Sequence, residues 1–152
     1  MRVRESLSQD LPDIERIYNE SRPQEFYAEE GQFSPVHWSK DKVIQAKLKK
    51  ATIYVCEETE ILGFCGFTGN HINWLFVSPE HRNKGVASAL LTRILPEVGL
   101  GVTLTILASN KRACNLYFKF GFVEESEFSV KYQEQELTVK KLISTVSDRQ
   151  RF

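Results

Sequence analysis

The sequence has 152 residues, of which 41% are hydrophobic and 26% charged, which is the make-up of one globular domain. Twenty Lys and Arg residues balance twenty Asp and Glu residues, so a nucleic-acid partner is not expected. Three cysteines without a C-x-x-C pair argue against a disulfide framework and a zinc site, and favour a reducing, cytoplasmic setting. No apolar run approaches the roughly 18 residues of a membrane span, so no membrane partner is expected.

The chain opens with a strand and a helix. Residues 1–5 alternate enough to predict a short strand. Ser8 or Asp10 then caps a helix whose apolar residues lie on one stripe. The polar and aromatic residues 21–31 follow and predict a loop that is long enough to be functional.

A second helix and an antiparallel meander come next. Ser34-Pro35 offers an N-cap and a first-turn proline, which predicts a helix that continues to Leu48. Three β-branched and aromatic runs, at 52–56, 61–67 and 72–77, are typical of strands joined by tight turns.

The second half alternates helices and strands. The remaining elements are, in chain order, a helix from Gly85 that stops near Pro96 and Gly99, a strand at 102–107, a helix at 111–120, and a hairpin of 122–132 and 136–143. Residues 144–152 are expected to form a frayed tail. No linker divides residues 1–152, so we predict a single domain.

This order contains one β-α-β crossover, at 72–107, embedded in antiparallel pairs. It predicts an α/β (α+β) layered domain with a mixed sheet, rather than the fully parallel sheet of a Rossmann domain.

The turn between the third strand and the third helix is suited to binding an anion. The free N–H groups of a helix start carry partial positive charge, and the small residues Gly85 and Ala87 let a pyrophosphate approach the backbone. Arg82 and Lys84 add positive charge. The order of residues matches neither a Walker loop nor G-x-G-x-x-G. The alternative is that Gly85 only permits a tight turn between solvated side chains.

Two motifs carry a resemblance to a known family. Val77-Ser78-Pro79, followed by Arg82-x-x-Gly85-x-Ala87, resembles the acetyl-coenzyme A signature of GNAT acetyltransferases. One strand further on, the segment 110–122 resembles the second signature of that family, N-x-x-A-x-x-x-Y-x-x-x-G-F. Their coupled spacing within one β-α-β-α unit identifies the chain as similar to GNAT-superfamily N-acetyltransferases from residue 1 to about residue 143.

The resemblance implies a GNAT-like layered domain, with a mostly antiparallel sheet of about seven strands, a central parallel splay and helices on both faces. It also implies that acetyl-coenzyme A is the co-substrate and that no metal is needed. The residues implied to bind acetyl-coenzyme A are Leu75, Phe76, Val77, Arg82, Asn83, Lys84, Gly85, Val86, Ala87, Ser88, Asn110 and Tyr117.

The family mechanism implies that an uncharged primary amine attacks the thioester directly in a ternary complex. Tyr117 resembles the general acid that protonates the leaving thiolate, although a tyrosine at this spacing also suits core packing. Strands that splay leave amides unpaired, so the backbone of Phe76 and Val77 is expected to stabilise the oxyanion.

The chain departs from the family where relatives carry a carboxylate base, because Thr105 and Asn73 stand at those positions. By strand alternation His71 shares a face with Asn73, which makes His71 a candidate base and Asn73 a candidate water holder. Alternatively, His71 is a surface or hydrogen-bonded residue, and the amine loses its proton to a water chain or arrives neutral.

The acceptor is expected to be a small-molecule amine, with a peptide or protein amine as the alternative. A catalytically idle acyl-coenzyme A binding module and a purely structural domain stay open too, as do a monomer and a homodimer. The carboxylates of Glu25, Glu29 and Glu30 would attract a cationic acceptor. The aromatic residues expected to line its pocket are Phe26, Tyr27, Trp38 and Trp74, with His37 beside them.

Overall fold

Seven strands form one mixed sheet across the residues that the computed structural model describes, 1–145. The strand order is β1-β2-β3-β4-β5-β7-β6, and β4 with β5 is the parallel pair, as predicted. The strands are β1 (Arg2–Glu5), β2 (Thr52–Glu57), β3 (Ile61–Thr68), β4 (His71–Val77), β5 (Thr103–Leu107), β6 (Phe122–Tyr132) and β7 (Gln135–Ser144).

Helices cover both faces of this sheet, which confirms the predicted layers. On one face, α1 and α2 pack over a cluster that contains Ile17 and Phe64. On the other, α3 and α4 pack over a cluster that contains Leu90 and Tyr117. Burying each large apolar side chain contributes about 1.5–3 kcal/mol, so these clusters hold the layers together. The helices are α1 (Leu11–Ser21), α2 (Lys42–Lys50), α3 (Val86–Val98) and α4 (Lys111–Lys119).

Helix α2 begins later than its sequence predicts. Its N-cap is Asp41, whose carboxylate accepts a hydrogen bond from the Ile44 amide at 3.1 Å. The predicted start at Ser34-Pro35 is wrong because both backbone groups of Ser34 bind the side chain of Gln133. The carbonyl of an N-cap residue must accept the first helical bond, and that of Ser34 is already in use.

Helix α3 ends where predicted, and strand β7 ends one residue later than predicted. Helix α3 contains Pro96 and ends at Val98, with the C-cap Gly99, whose φ of 97° suits glycine. Strand β7 includes Ser144, so this residue is not part of a tail. Thr145 follows the strand, and its amide donates to the Gly121 carbonyl at 3.0 Å. Residues 146–152 of the predicted tail lie outside the described residues. No helix within residues 1–145 is long and apolar enough to cross a membrane.

The parallel strands β4 and β5 separate along their length, as the resemblance implied. Their register contains a single pair, His71 with Thr103, at the start of each strand. By contrast, β5 pairs with β7 from Thr103 to Leu107. The carboxyl ends of β4 and β5 therefore border an opening in the middle of the sheet, and the candidate site lies there.

Candidate active site

Two openings meet between the splayed strands. The first, of about 520 Å³, lies along α3 and α4 and is called the α3–α4 groove. The second, of about 420 Å³, lies between the splayed strands and α1 and is called the β4–β5 cavity. The residues that line both are Leu75, Val77, Asn110, Ala113 and Tyr117. A ligand in the groove would thus contact a ligand in the cavity at these five residues.

The start of α3 forms one end of the groove. Gly85 precedes the helix with φ 82° and ψ 14°, and Asn83 in the same turn has φ 61°. Within residues 1–145 no side chain caps this helix start. The first amides of a helix have no partner inside the helix, so those of Val86, Ala87 and Ser88 offer hydrogen-bond donors and positive dipole charge to an anion.

Positive side chains surround this helix start. Arg82 and Arg112 line the groove, together with Lys119. The guanidinium of Arg112 donates to Asn83 Oδ1 at 2.6 Å, which ties α4 to the turn. Lys84 is exposed at the turn and is not among the lining residues.

The basic residues of α4 were missed in the sequence. Arg112 and Lys119 both line the groove from α4 and lie seven residues apart, which places them on one helical face. Asn115 and Leu116 lie between them and line the groove as well. This helical periodicity, together with the basic turn at Arg82, is the sequence pattern that would have predicted a basic face of α4 along the groove.

Strand β4 presents free amides to the opening. The Ser78 amide donates to the Leu62 carbonyl at 2.8 Å. Because hydrogen-bonded positions alternate in an antiparallel pair, Phe76 also points its amide at β3, whereas Leu75 and Val77 point theirs at the gap. The amide of Phe76, one of the two expected oxyanion donors, therefore does not face the gap, whereas that of Val77 does, and so does that of Leu75.

Tyr117 lies at the junction of the groove and the cavity. Its side chain is only 6% exposed, and its ring packs edge-on against Phe122 with centroids 5.4 Å apart. Its hydroxyl has no hydrogen-bond partner among residues 1–145. Burial raises the pKa of Tyr117 well above its ordinary value, so the phenol keeps its proton at neutral pH and can donate it.

Of the candidate base His71 and the candidate water holder Asn73, only Asn73 lines an opening. The β3–β4 register shifts after Gly66, so that Asn73 has no register partner on β3. Asn73 lines the β4–β5 cavity and donates to Thr68 Oγ1 at 2.8 Å. His71 lines neither opening, and its Nδ1 lies 2.9 Å from Thr103 Oγ1.

Only part of the expected aromatic lining is present. Phe26 and Trp74 line the β4–β5 cavity. The structure corrects the expectation for Tyr27, which is 77% exposed, and for Trp38, which is buried against Tyr18 with ring centroids 5.0 Å apart. His37 is also outside the lining and contacts Asn19.

A partly buried ion pair lines the cavity and was not predicted from the sequence. Arg22 Nη1 lies 2.6 Å from Glu25 Oε2, and both residues line the cavity. The guanidinium also lies over the rings of Phe26 and Tyr132, at 4.9 Å and 5.8 Å. Burial raises the pKa of Glu25, and the positive charge of Arg22 opposes that shift. The i,i+3 spacing of the pair in a segment expected to be a loop was the available signal.

A splayed mixed sheet with an uncapped, basic helix start defines an α/β protein whose groove offers hydrogen-bond donors and positive charge to an anion. The family model of the acetyltransferase (GNAT) domain matches residues 49–124. The chain belongs to this family, which confirms the resemblance seen in its two motifs.

A curated relative and two solved structures are similar to this chain. Peptidyl-lysine N-acetyltransferase YjaB from Salmonella typhimurium is 29% identical over 84 residues, which cover 54% of this chain and 57% of the relative. The alignment thus spans little more than half the length of that protein. A GCN5-related N-acetyltransferase from Rhodopseudomonas palustris has 17% identity and a TM-score of 0.78, over 95% of each chain. The acetyltransferase yncA from Salmonella typhimurium, solved with acetyl-CoA, has 18% identity and a TM-score of 0.71, over 94% of this chain and 92% of that one.

Proposed function

We propose that the protein transfers an acetyl group from acetyl-coenzyme A to a primary amine, which attacks directly in a ternary complex. The observation that carries the proposal is the meeting of the α3–α4 groove and the β4–β5 cavity at Tyr117 and the β4 backbone. This junction gives donor and acceptor separate entrances to one reacting position. Membership of the GNAT family supports the same reaction.

The groove has the chemistry that acetyl-coenzyme A requires. The uncapped amides of Val86, Ala87 and Ser88 would bind the pyrophosphate, and Arg82 and Arg112 would neutralise its charge. Acetyl-coenzyme A, when bound, supplies an acetyl group activated as a thioester. The remaining residues proposed to line its path are Leu75, Val77, Asn83, Gly85, Asn110 and Tyr117.

Strand β4 and Tyr117 would perform the donor half of the reaction. The amides of Leu75 and Val77 face the gap and would stabilise negative charge on the thioester oxygen. The protonated hydroxyl of Tyr117 would donate a proton to the leaving thiolate. Asn73 lines the cavity and is proposed to hold a water molecule near the amine.

The acceptor proposed first is a small-molecule amine, because the volume of the β4–β5 cavity, about 420 Å³, is typical of a small-molecule site. A peptide lysine is the second candidate, since the YjaB relative is named a peptidyl-lysine N-acetyltransferase. A reducing, cytoplasmic setting is proposed as well, and the three buried free thiols of Cys56, Cys65 and Cys114 support it.

A panel of small amines and lysine peptides, incubated with acetyl-coenzyme A, tests this function. Release of the free thiol and an acetylated product by mass spectrometry are expected for at least one amine. Calorimetry with acetyl-coenzyme A accompanies the panel. Binding without turnover of any amine would instead identify an idle acyl-coenzyme A module. Absence of binding would leave a domain whose basic turn has only a structural role.

A further inference from the structure

Glu25 supplies the β4–β5 cavity with a carboxylate, which the strands β4 and β5 do not provide. Among residues 1–145, Glu25 is the only acidic side chain that lines this cavity, and no histidine lines it. The strand positions Asn73 and Thr105 line it too, but an amide and a hydroxyl do not take up a proton at neutral pH. We propose that Glu25 is the general base that removes the proton from the acceptor amine, an inference that rests on the proposed acetyl transfer.

The local fold holds Glu25 in place. A 3₁₀ turn, Arg22–Phe26, continues directly from α1 and brings the carboxylate into the cavity. Arg22 binds one carboxylate oxygen, Oε2, which leaves Oε1 available to an amine. Arg22 is itself fixed between Glu25 and the rings of Phe26 and Tyr132. The Glu25 side chain is 26% exposed, so it is accessible from the cavity.

Glu25 and the proposed acid, Tyr117, line the same cavity. The charge of Glu25 is one of the causes that raise the pKa of Tyr117, after burial, so the two groups interact electrostatically. Amine attack needs a base for the ammonium proton and an acid for the leaving thiolate within reach of one reacting position. The other titratable and charged groups that line the cavity are Tyr18 on α1, Arg22, Lys47 on α2, and Lys131 and Tyr132 on β6.

Burial makes the Glu25 carboxylate a stronger base than an exposed one. Desolvation raises its pKa, and the guanidinium of Arg22 opposes the shift without cancelling it. A carboxyl group whose pKa lies nearer to neutral pH takes a proton from an ammonium group more readily.

The proposed step balances in protons and electrons. The ammonium group gives one proton to Glu25, and the amine nitrogen forms a bond to the thioester carbon. The carbon–sulfur bond breaks with its electron pair on sulfur. Tyr117 gives its proton to the thiolate and receives the second proton of the amine. Glu25 then releases its proton to solvent, so both residues return to their starting states.

The test compares Glu25→Gln with wild type, using the best amine found in the panel. We expect the variant to lose about 10²–10³-fold in kcat, within the range of general base catalysis. We also expect the acidic limb of its pH profile, which is the fall of kcat/KM at low pH, to disappear, because protonation of the Glu25 carboxylate causes that fall. The affinity for acetyl-coenzyme A by calorimetry should stay within about twofold of wild type, since Glu25 does not line the groove.

Two further variants make the outcome decisive. Glu20→Gln removes an exposed carboxylate near the end of α1, five residues before Glu25, and should keep wild-type kinetics because Glu20 lines neither opening. Glu25→Asp keeps a carboxylate, so kcat/KM should still fall at low pH, and kcat should be lower than in wild type. This variant serves as the test if Glu25→Gln does not fold. A rise in KM alone, with the limb intact in Glu25→Gln, would make Glu25 a binding residue and overturn the proposal. If wild type acetylates no amine, the acetyl transfer itself is refuted and the base with it.

Discussion

At the scale of single residues, burial determines what Tyr117 and His71 can do. Tyr117 keeps its proton because burial disfavours the phenolate. His71 stays neutral because burial, with smaller contributions from Lys47 and Lys141, lowers the pKa of its imidazole. Only Tyr117 combines its protonation state with a place at the junction of the two openings.

Replacing Tyr117 with phenylalanine removes the proposed acid and keeps its ring in the core. We expect kcat to fall by about 10²-fold, because an unprotonated thiolate is a poor leaving group. The affinity for acetyl-coenzyme A should change little, and the free energy of unfolding should be close to wild type, because the hydroxyl has no partner among residues 1–145. Steady-state kinetics and urea unfolding measure these quantities. Unchanged turnover would reduce Tyr117 to a core residue.

His71 should affect stability and leave catalysis alone. Its pKa in the folded protein lies below the ordinary value of 6.5, so the unfolded chain takes up a proton first as the pH falls. The stability it contributes is therefore complete above the ordinary pKa and is lost as the pH falls through the lowered one. His71→Gln should reduce the drop in unfolding free energy between about pH 7.5 and about pH 5.5. A changed pH profile of kcat/KM in this variant would instead place His71 in the mechanism.

At the scale of elements, the proposed donor site is the junction of β4, a turn and α3. Strand β4 offers amides because β5 diverges from it, and α3 offers amides because no side chain within residues 1–145 caps it. Gly85 joins the two elements with φ 82°, a conformation that other residues adopt at a cost of about 1–2 kcal/mol.

Gly85→Ala should therefore weaken both stability and acetyl-coenzyme A binding. An added Cβ meets no atom closer than 4.0 Å, so the penalty of about 1–2 kcal/mol comes from the backbone alone. Gly69→Ala is the matched control, since Gly69 also has a positive φ, 58°, and no neighbour within 4 Å. Both variants should lose stability in urea, and only Gly85→Ala should lose affinity. Equal affinities would separate the turn from ligand binding.

Amide exchange along β4 should distinguish the two sides of this strand. The amide of Phe76 points at β3 and should exchange slowly in all conditions, whereas those of Leu75 and Val77 should exchange fast without ligand. Saturating acetyl-coenzyme A should slow the latter two. Nuclear magnetic resonance measures each amide separately. Protection of Leu75 and Val77 in the free protein would contradict the alternation derived from the Ser78 bond.

Local patterns predicted the elements better than the side chains of the site. The β-α-β-α unit was readable because Gly85, Asn110 and Gly121 mark helix ends by local backbone chemistry. The true start of α2 at Asp41 was hidden, because Gln133, almost a hundred residues away, binds the backbone of Ser34. Long-range contacts of this kind leave no trace in local sequence.

The parts of the candidate site that lie within the two sequence motifs could be predicted, whereas the parts that depend on tertiary contacts could not. The two motifs identified the start of α3 and Tyr117. The bulge at Asn73 follows from the register between β3 and β4, which simple alternation along β4 does not reveal. Glu25 comes from a segment that only the folded chain brings to β4 and β5.

At the scale of the whole molecule, the sheet is two parts joined at a narrow point. Strands β1 to β4 and strands β5 to β7 are each continuous antiparallel sets, and the single pair of His71 with Thr103 joins them. The cores on the two faces hold the parts together. Beyond that single pair, β4 and β5 do not pair with each other along the opening. A ligand that binds across this opening would contact both parts at once.

Acetyl-coenzyme A should therefore stabilise the folded protein as a whole. A ligand at about 100 times its dissociation constant adds about 2.7 kcal/mol to the free energy of unfolding. For a chain of this size that corresponds to a rise in Tm of about 5–10 °C, measured by thermal unfolding. Pantetheine, which lacks the phosphates, is the control and should raise Tm much less at equal concentration, because the start of α3 and Arg112 would have no anion to bind. Equal shifts for both compounds would mean that the basic helix start contributes nothing to binding.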